Sequence, residues 1–126
     1  MPIIEVWGFP SKVEEAKNLE FQQALKLTVS QIGDLKLQVD QVSVFIPELN
    51  TGQTDFVIPE SGYPQPEVII LKVWGLFAKP ERTVTIQKFL AQRLMEKVSQ
   101  YFPESMVEVF VQPFNPENGF ACSNQA

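Results

Sequence analysis

The chain has 126 residues, of which 44% are hydrophobic and 20% charged, and its formal net charge is -5. That length suits one domain with one core, and the composition excludes disordered and fibrous classes. The ten basic residues are scattered singly, which provides no stripe for tracking a phosphate backbone and argues against nucleic acid or an anionic membrane as partner.

With no histidine and one cysteine, Cys122, the usual zinc ligand sets and an internal disulfide are excluded, as is histidine-dependent nucleophilic catalysis. No metal and no cofactor are expected. The opening residues lack a basic region ahead of an apolar run, and nothing approaches membrane-spanning length, so the expectation is a soluble, cytoplasmic protein.

In chain order, residues 2–8 predict a strand, because Ile3, Ile4, Val6 and Trp7 are β-formers and Gly8-Phe9-Pro10 stops the run. Ser11-Lys12-Val13-Glu14 has the pattern of a capping box. A helix is expected after it, with Ala16, Leu19 or Glu20, Ala24, Leu25, Thr28, Val29 and Ile32 at three-to-four spacing up to Gly33. Alternation over residues 37–46 predicts a second strand. Residues 47–66 are rich in turn formers, with room for a short strand at Phe56-Val57-Ile58.

Val68 to Gly75 reads as a strand apolar on both faces, the pattern of a central strand. After Lys79-Pro80 a second helix extends to about Phe102, with a stripe of Ile86, Phe89, Leu90, Leu94, Val98 and Tyr101. Val107 to Val111 is the last strand, and Asn115 to Phe120 is a turn-rich tail.

The two halves repeat. Val6-Trp7-Gly8 recurs as Val73-Trp74-Gly75, and Val42-Ser43-Val44-Phe45-Ile46 as Val107-Glu108-Val109-Phe110-Val111. The expectation is a single α+β domain over residues 1–126, a two-layer sandwich of tandem βαβ units at about 2–47 and 67–113 with connector 48–66. Its mixed sheet would have four strands, with both helices on one face. The opposite face would then need a cover, most simply other copies of the chain. Trp7 and Trp74 occupy equivalent strand positions suited to core or subunit interface, and Glu5 and Lys72, also equivalent, would oppose each other if their strands are neighbours.

Two tandem βαβ units headed by Met-Pro resemble the tautomerase superfamily. The resemblance covers nearly the whole chain in layout and rests on few residues: Pro2 at the head of the first strand, Arg82 followed by Thr83 where the second helix opens, the Asn118-Gly119-Phe120 tail, and Lys36 ahead of the second strand. It implies a homotrimer with sheets inward and helices outside. Pro2, freed by removal of Met1, would be the general base and acid of an enol-keto isomerisation. Arg82 first and Lys36 second would hold the carboxylate of a small substrate, and Asn118 would donate to the developing enolate oxygen.

The residues themselves leave alternatives open. Proline at position 2 is common, and an arginine in a helix's first turn is often solvent-exposed or paired with an acid such as Glu81 or Glu5. A non-catalytic oligomeric binding protein on the same scaffold is one competing reading. A ferredoxin-like sensor domain is another, since it shares the βαββαβ connectivity. In that fold the two strands of each unit are separated by one from the other half, whereas in the tautomerase arrangement they are adjacent.

Overall fold

The fold is given by a computed structural model that describes residues 2–10, 13–47, 68–115, 117, 119 and 122. Its elements are β1 (Ile3–Trp7), α1 (Glu15–Ser30), two 3₁₀ turns (Gly33–Leu35 and Val39–Gln41), β2 (Ser43–Phe45), β3 (Val68–Trp74), α2 (Val84–Tyr101) and β4 (Met106–Val111). The four strands form one sheet in the order β2-β1-β3-β4. Pairing is parallel within each unit, β1 with β2 and β3 with β4. The two units meet antiparallel where β1 pairs with β3. Strands of one unit are neighbours, so the ferredoxin-like order does not apply.

One sheet face and both helices enclose the core. Ile4 and Val6 of β1 and Ile69, Leu71 and Val73 of β3 alternate toward the helices. Phe21, Leu25 and Val29 of α1 meet Leu90, Leu94 and Val98 of α2 above them. In each helix these residues recur every four positions, which keeps them on one side of the cylinder. An aromatic cluster closes one end: Phe21 lies edge-on to Tyr101 and Phe102, with ring centroids 5.5 Å apart in both pairs.

The repeated glycines have a backbone cause. Gly8 and Gly75 both adopt positive φ, 78° and 75°. A Cβ built on Gly8 would lie 2.1 Å from the carbonyl oxygen of Val68, so the exit of β1 passes too close to the entry of β3 for any side chain. Val-Trp-Gly thus recurs because each unit ends its first strand with the same left-handed turn.

Several expectations change in detail. Of residues 37–46 only Ser43–Phe45 pair as strand, and Val39–Gln41 form a turn. The side chains of Gln38 and Gln41 cap that turn reciprocally, and the Gln41 amide oxygen accepts from the Gln38 backbone N–H at 2.8 Å. α1 starts at Glu15, and its N-cap, Glu14, makes no side-chain capping bond. α2 starts at Val84, after Thr83, whose hydroxyl accepts from the Ile86 N–H at 3.3 Å. Leu19 and Phe89, placed in the helix stripes by spacing, are exposed, while Phe21 is fully buried. Ser11, the head of the expected capping box, and the expected strand at Phe56–Ile58 lie outside the described residues.

Candidate functional site

Strand direction brings Pro2 and the connections that carry Lys36 and Arg82 to one end of the sheet. Ile3 is in register with Ser43 at the start of β2 and with Trp74 at the finish of β3. Pro2, the residue before it, is buried, and its carbonyl accepts from the Ser43 N–H at 3.1 Å. β4 finishes at the same end, since Val73 pairs with Val111. Beyond the strands, residues 77–82 lead from β3 into α2, and residues 33–42 lead from α1 into β2.

Arg82 ties those two connections together. Its Nη1 donates to the Phe77 carbonyl at 2.7 Å and its Nη2 to the Leu35 carbonyl at 3.0 Å. The side chain is buried, and Nε has no partner among the described residues. A buried guanidinium without a carboxylate is normally costly, and here carbonyl dipoles from two loops take the carboxylate's place. The Arg82 carbonyl in turn accepts from Gln87 Nε2 at 3.1 Å, which fixes the loop to the first turns of α2. Phe77 is held further by a β-bridge to Phe114 and an edge-on ring contact of 5.5 Å.

Lys36 follows Leu35 directly. It is exposed and adopts φ 53°, the left-handed conformation that a lysine avoids unless its surroundings impose it. The Lys36 N–H donates to the Gly33 carbonyl at 3.1 Å, and the preceding carbonyl is the one Arg82 holds. The turn therefore presents the ammonium to solvent at the Pro2 end of the sheet. Asn118 lies outside the described residues.

On the sheet face away from the helices lies a cavity of about 600 Å³, lined by Glu5, Lys72, Val73, Trp74, Phe110 and Gln112. Pro2, Lys36 and Arg82 are not among these lining residues, although Trp74 pairs with Ile3, next to Pro2. The alternation of β1, β3 and β4 was the available signal for these residues, because positions two apart share a face. Glu5 faces Lys72 in register, yet among the described residues the one ion pair is Arg93 with Glu96 on α2, 3.5 Å apart. No group of three His, Cys, Asp or Glu side chains suited to a metal forms among the described residues, and no described helix is long and apolar enough to cross a membrane.

No family model matches the sequence, and no curated protein does. Solved structures do match over nearly its whole length. A fused 4-OT in an asymmetric trimer aligns with a TM-score of 0.69 at 17% identity, covering 98% of this chain and 94% of that one. A member of the cis-3-chloroacrylic acid dehalogenase family aligns at 0.66 with 16% identity, over 94% of this chain and 79% of that one. A domain of unknown function from Sebaldella termitidis aligns at 0.62 with 17% identity, over 96% and 95%. The chain shares the fold of these structures: tandem βαβ units joined through their first strands.

Proposed function

We propose that this protein is a tautomerase-like isomerase that moves a proton on a small enol or keto acid, with Pro2 as base and then acid after removal of Met1. The observation that supports it best is the strand order, which puts Pro2 at the head of a central strand, between the start of β2 and the finish of β3. An α-amino group has a lower reference pKa than a lysine side chain, about 8 against about 10, and so accepts a proton more readily near neutrality.

In this reading Lys36 is the cation for the substrate carboxylate. Arg82, already bonded through both terminal nitrogens to backbone carbonyls, acts mainly as the brace that holds the Lys36 turn. That reverses the order in which the sequence ranks the two cations. Asn118 keeps its proposed part as donor to the enolate oxygen. The functional unit is proposed to be a homotrimer, on the support of the trimeric fused 4-OT neighbours and of the exposed Trp7, Phe45, Trp74, Met106 and Phe110.

The test is intact mass together with turnover of an arylpyruvate enol. Loss of Met1 is expected, and Pro2→Ala should lower turnover at least about 100-fold, the scale of general acid–base catalysis. Lys36→Gly should raise KM while leaving the fold as stable or up to about 1 kcal/mol more so, because glycine accepts the left-handed turn freely. Retained Met1, or unchanged turnover in Pro2→Ala, would sink the catalytic reading in favour of a non-catalytic binding protein of the same fold.

A further inference from the structure

The connection from β3 to α2 presents an aromatic ring that the core does not use. Phe77 is 43% exposed, and Ala78, Lys79 and Pro80 after it are exposed as well. A lone exposed phenylalanine on a loop is ordinary and by itself calls for no account. This one is held from three sides. Its carbonyl accepts from Arg82 Nη1 at 2.7 Å. The backbone around it is bridged to Phe114, whose carbonyl accepts from the Ala78 N–H at 2.8 Å and whose N–H donates to the Leu76 carbonyl at 2.7 Å. Its ring lies edge-on to that of Phe114, with centroids 5.5 Å apart. The tail joins the same cluster, since a Cβ built on Gly119 would lie 3.2 Å from Phe114 Cε2.

Ordering a side chain that stays exposed loses rotamer freedom without the return that burial gives. What the restraint achieves is visible in the fork of Arg82. One terminal nitrogen holds the carbonyl of Phe77, and the other holds the carbonyl of Leu35, the residue before Lys36. A guanidinium is planar and rigid, so the two carbonyls it bonds keep a fixed separation. A buried cation without a carboxylate thus fixes, at the Pro2 end of the sheet, the backbone that carries an exposed ring against the backbone that carries an exposed ammonium.

The geometry points to a specificity role for this pair: Phe77 is the apolar wall for the body of the substrate whose carboxylate Lys36 takes, and Arg82 is the positioning residue that sets one against the other. This rests on the function proposed above and deepens it by naming the substrate class, acids with a flat apolar body in preference to short aliphatic ones. The ring offers its face and edge to another flat π-system, which adds to the gain from buried area. The ammonium supplies a point charge to the carboxylate. Neither group selects such an acid alone, because the ring would take any apolar molecule and the lysine any anion.

The experiment titrates the isotope-labelled full chain with two acids that cannot tautomerise, 3-phenylpropanoate and propanoate, and follows NMR shifts for wild type, Phe77→Ala, Phe77→Tyr, Lys36→Met and Arg82→Lys. Wild type should prefer 3-phenylpropanoate at least about tenfold, the scale of one good apolar contact. Phe77→Ala should lose most of that preference, and Phe77→Tyr, which keeps the ring, should retain it. Lys36→Met should weaken both acids alike. Arg82→Lys, which cannot fork between two carbonyls, should lose the preference too, and adding Phe77→Ala to it should change little more. A fold that is merely loosened would weaken both acids equally and leave their ratio intact.

A wild type without the preference, or a Phe77→Ala variant that keeps it, would overturn the inference, and an intact ratio in Arg82→Lys would overturn the positioning role. Should Arg82→Lys fail to fold, Phe114→Leu decides that role instead, because it frees the ring of Phe77 while the buried cation stays bonded: a reduced ratio supports the positioning and an unchanged one refutes it. Turnover separates this inference from the reading beneath it. A preference that depends on Phe77, in a chain whose turnover ignores Pro2→Ala, supports the wall and refutes the catalytic reading; turnover lost in Pro2→Ala with a preference indifferent to Phe77 does the reverse.

Discussion

The two βαβ units have matching first strands and matching helix cores but hold their helices by different means. In the second unit Thr83 caps α2 with its hydroxyl, and Arg82, one residue earlier, ties the approaching loop to the first unit. In the first unit Glu14 precedes α1 without a side-chain cap, and packing of Phe21, Leu25 and Val29 holds the helix. The second strands differ as well, three residues in β2 against six in β4. A fold built twice in one chain therefore repeats where backbones must meet and core must fill, and is free to diverge at its entrances, where the second unit has the brace and the first the proline.

The strongest way to break the comparison is at the glycines. Gly8→Ala should cost about 3 kcal/mol, combining the left-handed conformation with the approach to Val68. Gly75→Ala should cost at least about 1 kcal/mol through its left-handed conformation. Urea denaturation of both variants measures the losses, and a Gly8→Ala loss no larger than about 1 kcal/mol would contradict the close approach. Next come the caps. Thr83→Ala should remove about 1 kcal/mol and Glu14→Ala close to nothing, as midpoint shifts with unchanged slope.

A smaller loss than that of the Thr83 cap concerns the contact between the helices, where the Tyr101 hydroxyl donates to Glu20 Oε1 at 3.2 Å. Burial, then this hydrogen bond, then the negative charge of Glu20 raise the Tyr101 pKa above its ordinary value of 10.0. A raised folded pKa means that the contribution is complete below the unfolded value and lost as pH rises through the folded one. Tyr101→Phe should therefore cost about 0.5 kcal/mol at pH 7. The deficit should vanish in denaturation curves recorded above the folded pKa of Tyr101.

Much of this architecture was legible because the repeat is carried by residues under backbone constraint. Val-Trp-Gly marks the same turn twice, and the apolar run of β3 marks a central strand. The segment 37–42 misled because its alternation fits a strand as well as a turn, and the side-chain caps of Gln38 and Gln41 decide for the turn. The setting of Arg82 was not legible for another reason. Its partner, the Leu35 carbonyl, lies 47 residues away in the chain, so no local pattern distinguishes an arginine that grips backbone from one that awaits a substrate. The tryptophans left core and interface both open, and the structure turns them outward, onto the face away from the helices.

The register between β1 and β3 has one more consequence. Equivalent residues of the two units are 67 positions apart, and along the seam only Glu5 and Lys72 are both equivalents and direct partners. The approximate two-fold axis relating the units therefore runs between these two side chains. In an assembly of separate identical units, a residue at that place would face its own copy, so a charge there would always meet a like charge. Joining two units in one chain lifts that restriction, and the position on the axis becomes a dipole, acid on one side and base on the other. A surface that would otherwise look the same from either direction acquires a direction.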